Sequence, residues 1–211
     1  TAGTQYTPEK GWDENKMDMF RRHIIQLGNS GVYVIYDELE GKEAVTWSYL
    51  LHTVELPMEM KELPNEVQVT GKNKAGGVSV AHLFSSAKTE QAIADTFFCA
   101  PTNWKNVTNA QGKALKYPNH WHFSSTTVPC KVARFLTVMD THGNNRPDMK
   151  VVRNGNTVQV GDWVINCNLA EKGKAAITVT NKSEKVSLNY DAGKKEGATI
   201  VTDQIKGKQI S

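Results

Sequence analysis

Three residues of the chain carry the first chemical possibility: His23, Asp37 and His52. Two imidazoles and one carboxylate are ordinary zinc ligands, with water or another group in the fourth position. Each falls in one of three successive predicted strands. Alternation groups Asp37 with Tyr33 and Ile35, and His52 with Leu50 and Ser48. A carboxylate sharing a face with isoleucine needs a partner, because burying it unpaired is costly. A plainer arrangement uses the same residues: Asp37 paired with Arg22 or a histidine, beside a satisfied core histidine. Spacing alone leaves both open.

A second constellation is His120-Trp121-His122. In a strand the two histidines share one face, and Trp121 and Phe123 take the other. A metal held there needs a third ligand, which His82 or His142 could supply. Half-buried strand histidines are the plainer reading. A third constellation is aromatic. Of Trp12, Trp47, Trp104, Trp121 and Trp163, Trp104 sits in a long polar stretch and is expected to be exposed, where an indole face can stack on a pyranose. Trp47 alternates with apolar residues and is expected in the core. Nucleophilic catalysis has no support. There is no GxSxG elbow, and Asp37 and Glu38 are adjacent, so a strand points them to opposite sides.

The elements that must position these residues read as strands. Residues 19–27 and 32–36 flank Gly28-Asn29-Ser30-Gly31, the pattern of a β-hairpin. Pairing about Asn29–Ser30 sets His23 opposite Tyr36 or Asp37. A second turn is expected at residues 40–42, followed by a strand over 44–53 rich in aromatic and β-branched residues. Shorter runs follow at 66–70, 78–84, 120–127 and 131–139. Residues 89–98 suit a short helix or a strand entry, and 99–119 a long loop. Beyond the 141–148 segment (THGNNRPD) the runs at 150–153, 157–160, 163–168, 175–180, 186–190 and 199–203 predict five or six short strands. The fold class expected is all-β: an antiparallel β-sandwich over residues 1–145, followed by a smaller antiparallel β unit over 146–211.

Composition agrees and narrows the function classes. The chain has 211 residues, 39% hydrophobic and 22% charged, an ordinary globular balance. No run approaches the ~20 apolar residues of a membrane-spanning helix. Residues 1–18 hold no signal-peptide core, and the absent initiator Met suggests a processed chain or an excised fragment. Net charge is +3, far short of a nucleic-acid footprint. Ten Lys/Arg stand against seven Asp/Glu from Asp148 onward, and fifteen against fifteen before it, so the excess is confined to the last third. The three cysteines, Cys99, Cys130 and Cys167, exclude a fully paired framework within one chain, and no CxxC is present.

The stretch 19–56, MFRRHIIQLGNSGVYVIYDELEGKEAVTWSYLLHTVEL, resembles the start of the β-sandwich region of heparinase II/III-like polysaccharide lyases. The matching features are Arg22-His23, the strand from Tyr33 to Leu39, and the strand from Trp47 to His52. The later runs fit more loosely. The resemblance implies an enzyme family that cleaves uronic-acid-containing polysaccharides, glycosaminoglycans among them, by β-elimination, with an α/α toroid preceding the β-sheet domains. It implies a structural zinc held by His23, Asp37 and His52, and periplasmic or secreted bacterial localisation. The toroid would supply the Tyr acid/base and the His or Asn that neutralises the uronate. No such helical domain lies in these residues. Some members place a catalytic His two positions before the metal His. Here Arg21 stands there, and arginine cannot act as a base at neutral pH, though it can neutralise a carboxylate. The expectation is an accessory, non-catalytic β-sandwich portion of such a lyase, inactive alone, with Arg21 and Trp104 as substrate contacts. Its partners would be an acidic polysaccharide and the helical domain of the same parent chain. The alternative is a stand-alone carbohydrate-binding or structural β-sandwich module.

Overall fold

The computed structural model describes residues 17–54, 56–95, 108–114, 120–194, 198–201 and 208–210. Among them there is no helix, so none long and apolar enough to cross a membrane. The strands of the first part are β1 (Met17–Gln26), β2 (Val32–Val45), β3 (Ser48–Val54), β4 (Glu59–Leu63), β5 (Glu66–Lys72), β6 (Gly77–Ser85), β7 (Thr89–Ala94), β8 (His120–Thr127) and β9 (Cys130–Gly143). The second part contributes β10 (Val151–Asn154), β11 (Thr157–Val160), β12 (Trp163–Cys167), β13 (Ala176–Asn181), β14 (Val186–Asp191), β15 (Ala198–Val201) and β16 (Lys208–Ile210). The fold is all-β, and every paired strand is antiparallel.

Three sheets form. The first has six strands in the order β1-β2-β9-β6-β5-β4, the second is the three-stranded β3-β8-β7, and the third is a seven-stranded meander from β10 to β16. Their stacking follows from period-two alternation in the six-stranded sheet. Val34, Tyr36, Phe84, Leu136 and Val138 point to one side and share a core cluster with Val158, Ile165, Ile177 and Val179 of the meander. Leu39, Leu83, Phe135 and Val69 point to the other side and pack with Tyr49 and Phe123 of the three-stranded sheet. The six-stranded sheet is therefore the middle layer, covered on both faces. The inward residues of the meander share their cluster with the middle sheet, so closing that cluster buries apolar surface from both parts of the chain.

The first hairpin is built as its residues predict. Gly28 and Gly31 take φ of 55° and 77°, a region that disfavours side chains. The pairing sets His23 opposite Tyr36 and Arg22 opposite Asp37. Other expectations are corrected. No turn forms at residues 40–42; β2 runs on to Val45, with a register shift against β9 between Glu40 and Val45. A bulge absorbs the glycine and the chain stays extended. Of the two forms expected for residues 89–98, residues 89–94 take the strand. The meander has seven strands rather than five or six. Trp47 is only partly buried, packing on the second core while its Nε1 donates to the Cys130 carbonyl at 3.1 Å.

The change of sheet after β9 is fastened by polar contacts. Asp140 is fully buried; it accepts from Arg146 and from the Met149 amide, the latter at 2.7 Å. His142 Nε2 lies 3.0 Å from Asp148. These contacts outweigh the burial that would otherwise raise the Asp140 carboxyl, and hold it below the ordinary carboxylate range.

Candidate functional site

Pairing of β1 with β2 decides which charged groups meet. Arg21 and His23 point toward the meander together with Glu38 and Tyr36. Arg22 points the opposite way with Asp37. On the meander side, Glu38 is a carboxylate only 2% exposed, so it must be compensated. His23 Nε2 lies 2.7 Å from it, and the Arg21 guanidinium is 3.8 Å away. The Tyr190 hydroxyl donates to Glu38 and accepts from Arg21. The His23 and Tyr190 rings are in contact, with centroids 4.2 Å apart. Burial would raise the Glu38 carboxyl; the hydrogen bonds from His23 and Tyr190 and the charge of Arg21 prevail and lower it. Burial, then the Glu38 contact, raises the Tyr190 phenol.

This network borders a cleft of about 520 Å³ between β1, β2, β9 and the 171–175 loop. Its charged lining comprises Arg21, Glu38, Glu40, Arg134, Glu171 and Lys174. Arg134 is buried and donates to the Ala170 and Gly173 carbonyls at 2.5 and 2.6 Å, so it fixes the loop that walls the cleft. Arg21 and Lys174 supply exposed positive charge, while Glu40 and Glu171 oppose it. A cleft of this size can take a sugar unit, and Arg21, with its side chain 48% exposed, can reach a ligand carboxylate.

The three residues proposed from sequence as zinc ligands are not brought together. Both carboxylate oxygens of Asp37 accept from Arg22 at 2.7 Å, the plainer pairing that the sequence also allowed. His23 is engaged by Glu38 on the opposite face of the sheet. His52 lies in another sheet, on β3, directly across from His122 of β8. The physical reason is alternation: His23 and Asp37 sit on strands whose register turns their side chains to opposite faces. As the side chains stand, no three of His, Cys, Asp and Glu among the described residues are grouped to hold a metal ion. A zinc held by His23, Asp37 and His52 does not fit this arrangement.

The other candidates are placed as follows. His82 Nδ1 is 2.6 Å from Glu66 and His142 pairs with Asp148, and both lie on strands of the middle sheet rather than beside His120 and His122 in the three-stranded one. Trp104, proposed as a substrate contact, lies outside the described residues, as do Trp12 and Cys99. Glu38, Tyr190 and Arg134 were not singled out by sequence reasoning. Glu38 carried one usable signal, because in a strand it must face away from Asp37 and therefore needs its own partner. Tyr190 carried none, since its approach depends on how the meander docks.

No family model matches the chain, and no curated protein is significantly similar to it.

Proposed function

We propose that this chain is the accessory, non-catalytic β-sheet portion of a heparinase II/III-like polysaccharide lyase, whose helical catalytic domain belongs to the same parent chain. The substrate class is a uronic-acid-containing glycan cleaved by β-elimination, and the compartment is periplasmic or extracellular. The motif from Arg22 to His52 motivates the reading. One structural observation carries it further. On the face of the middle sheet that bears the three-stranded sheet, the end formed by β1, β2 and β9 carries large apolar side chains around the Arg22–Asp37 pair and is incompletely covered. Ile24 is 66% exposed and Phe20 50%. Register sets Ile24 beside Ile35, and Gln26 in line with Tyr33 and Met139, which are half-buried. Phe20 and Ile24 flank the part-exposed Arg22 on this face, and large apolar side chains left exposed together suit a covering partner. A helical domain of the same parent is the occupant this reading gives it. Arg21, at the mouth of the cleft on the other face of the middle sheet, is the residue that would meet a uronate of the glycan.

The test uses the parent-length protein carrying its helical domain. Incubation with a panel of uronate polysaccharides should raise ultraviolet absorbance as the new double bond forms. Ile24→Asp should uncouple the domains and reduce that rate while leaving the β-sheet portion folded. Absence of cleavage across the panel refutes the lyase reading. If cleavage fails while this chain binds acidic glycans in a salt-sensitive way, the stand-alone binding module replaces it.

A further inference from the structure

The outer face of the three-stranded sheet carries a cluster that the cleft does not use. His52 on β3 is paired directly with His122 on β8, and Val54 with His120, so the three imidazoles occupy one face of two adjacent strands. His120 and His122 are two residues apart on one strand, and His52 is their cross-strand neighbour. The His52 and His122 ring centroids are 6.1 Å apart, with the rings tilted by 40°. His52 is solvent-exposed, and the other two are half-buried. The pattern HxH plus one histidine on the neighbouring strand can present three nitrogens to one tetrahedral ion.

We propose that this face binds a single zinc-class divalent transition-metal ion through His52, His120 and His122, tying β3 to β8 and leaving a fourth position for water. As the side chains stand the three rings are not gathered about one point, so binding requires His52 and His120 to turn toward His122. With Zn–N bonds near 2.0–2.1 Å and tetrahedral angles, two imidazole centroids on one zinc sit roughly 5 Å apart. Closing from 6.1 Å requires about 1 Å, within reach of a side-chain rotation of the exposed His52. Three neutral imidazoles suit zinc, copper or nickel better than magnesium or calcium, which prefer oxygen.

The experiment is calorimetric titration of the whole chain with Zn2+ near neutral pH, repeated with Co2+ for its tetrahedral absorption bands. One ion per chain is expected. His52→Ala and His120→Ala should each weaken binding by at least the roughly 10–100-fold that losing even an outer-shell partner costs, and should abolish the cobalt bands. His23→Ala should leave binding unchanged. His52 is exposed, so His52→Ala should fold normally, as melting in chelator will verify; it keeps the test decisive if His122→Ala does not fold. Zinc binding that survives His52→Ala, that disappears with His23→Ala, or that is absent in the unmodified chain overturns the assignment.

Discussion

Removing Arg22 tests whether Asp37 is an ion-pair member rather than a metal ligand. Asp37 is 2% exposed, and both of its oxygens accept from Arg22 at 2.7 Å. Arg22→Ala would strand that carboxylate in the middle sheet. Breaking a fully buried pair from one side costs ~3–5 kcal/mol. The Arg22 side chain is 39% exposed, so water can partly replace it and screening reduces the pair's worth. The expected loss is therefore about 2–3 kcal/mol, with Arg22 packing over Tyr49 included in it. In a chain of this size each kcal/mol moves Tm by ~2–4 °C, so Tm should fall by about 5–10 °C. The assay is thermal and urea unfolding followed by circular dichroism, with and without chelator. The double substitution Arg22→Met with Asp37→Leu should restore stability to within ~1 kcal/mol, since an apolar pair needs no compensation. A loss under ~0.5 kcal/mol for Arg22→Ala refutes the reasoning. So does an Asp37→Asn defect that appears only when metal is present.

Further outcomes follow from the same contacts. Glu38 has a folded pKa below its unfolded value, so its contribution to stability is present above the unfolded value and is lost as pH falls through the folded one. Glu38→Gln should flatten the acid limb of a stability-against-pH curve measured by urea unfolding; an unchanged slope contradicts the network. Gly31 holds φ at 77°, and a Cβ there would press on the Thr141 carbonyl oxygen. Gly31→Ala should cost about 1–3 kcal/mol from backbone strain alone, read as a lower urea midpoint with an unchanged m-value. The Cys167 thiol is 4% exposed, and burial pushes it up to about 12. Peptide mapping after alkylation at mildly alkaline pH should find Cys167 unlabelled in the native chain and labelled in urea.

What the sequence discloses here is local, and what it conceals is non-local. The β1–β2 hairpin was legible because Gly28 and Gly31 bracket two apolar β-branched runs, and the strands of the meander because short turns such as Asn154-Gly155 separate them. β4 reads EMKEL, too charged to register as a strand, and it is the outer edge of its sheet, where charge is tolerated because it discourages association. The turn expected at residues 40–42 failed because a glycine within a strand can mark a bulge as well as a reversal. The three residues expected as zinc ligands stand apart for a different reason. His52 belongs to a strand that leaves the middle sheet, and nothing in residues 44–54 announces which sheet that strand joins. Its partner on β8 is seventy residues away, the separation of His52 from His122. The charge network failed halfway: the Glu38 orientation followed from alternation, but Tyr190 arrives from a sheet more than a hundred residues later.

The position of β9 in the middle sheet bears on how the chain acquires its structure. β9 fills the slot between β2 and β6, pairing with Val32–Glu40 on one side and Gly77–Ser85 on the other. During synthesis, the segments that become β2 and β6 emerge long before residues 130–143. Until then each carries an open hydrogen-bonding edge and an apolar face with no cover. Such edges template association between chains, and long-range strand pairing is slow. Nascent chains ending before Cys130 should therefore depend on holding factors and collect as insoluble material when these are depleted. Chains ending after Gly143 should escape this fate in large part, because one late strand closes both gaps at once.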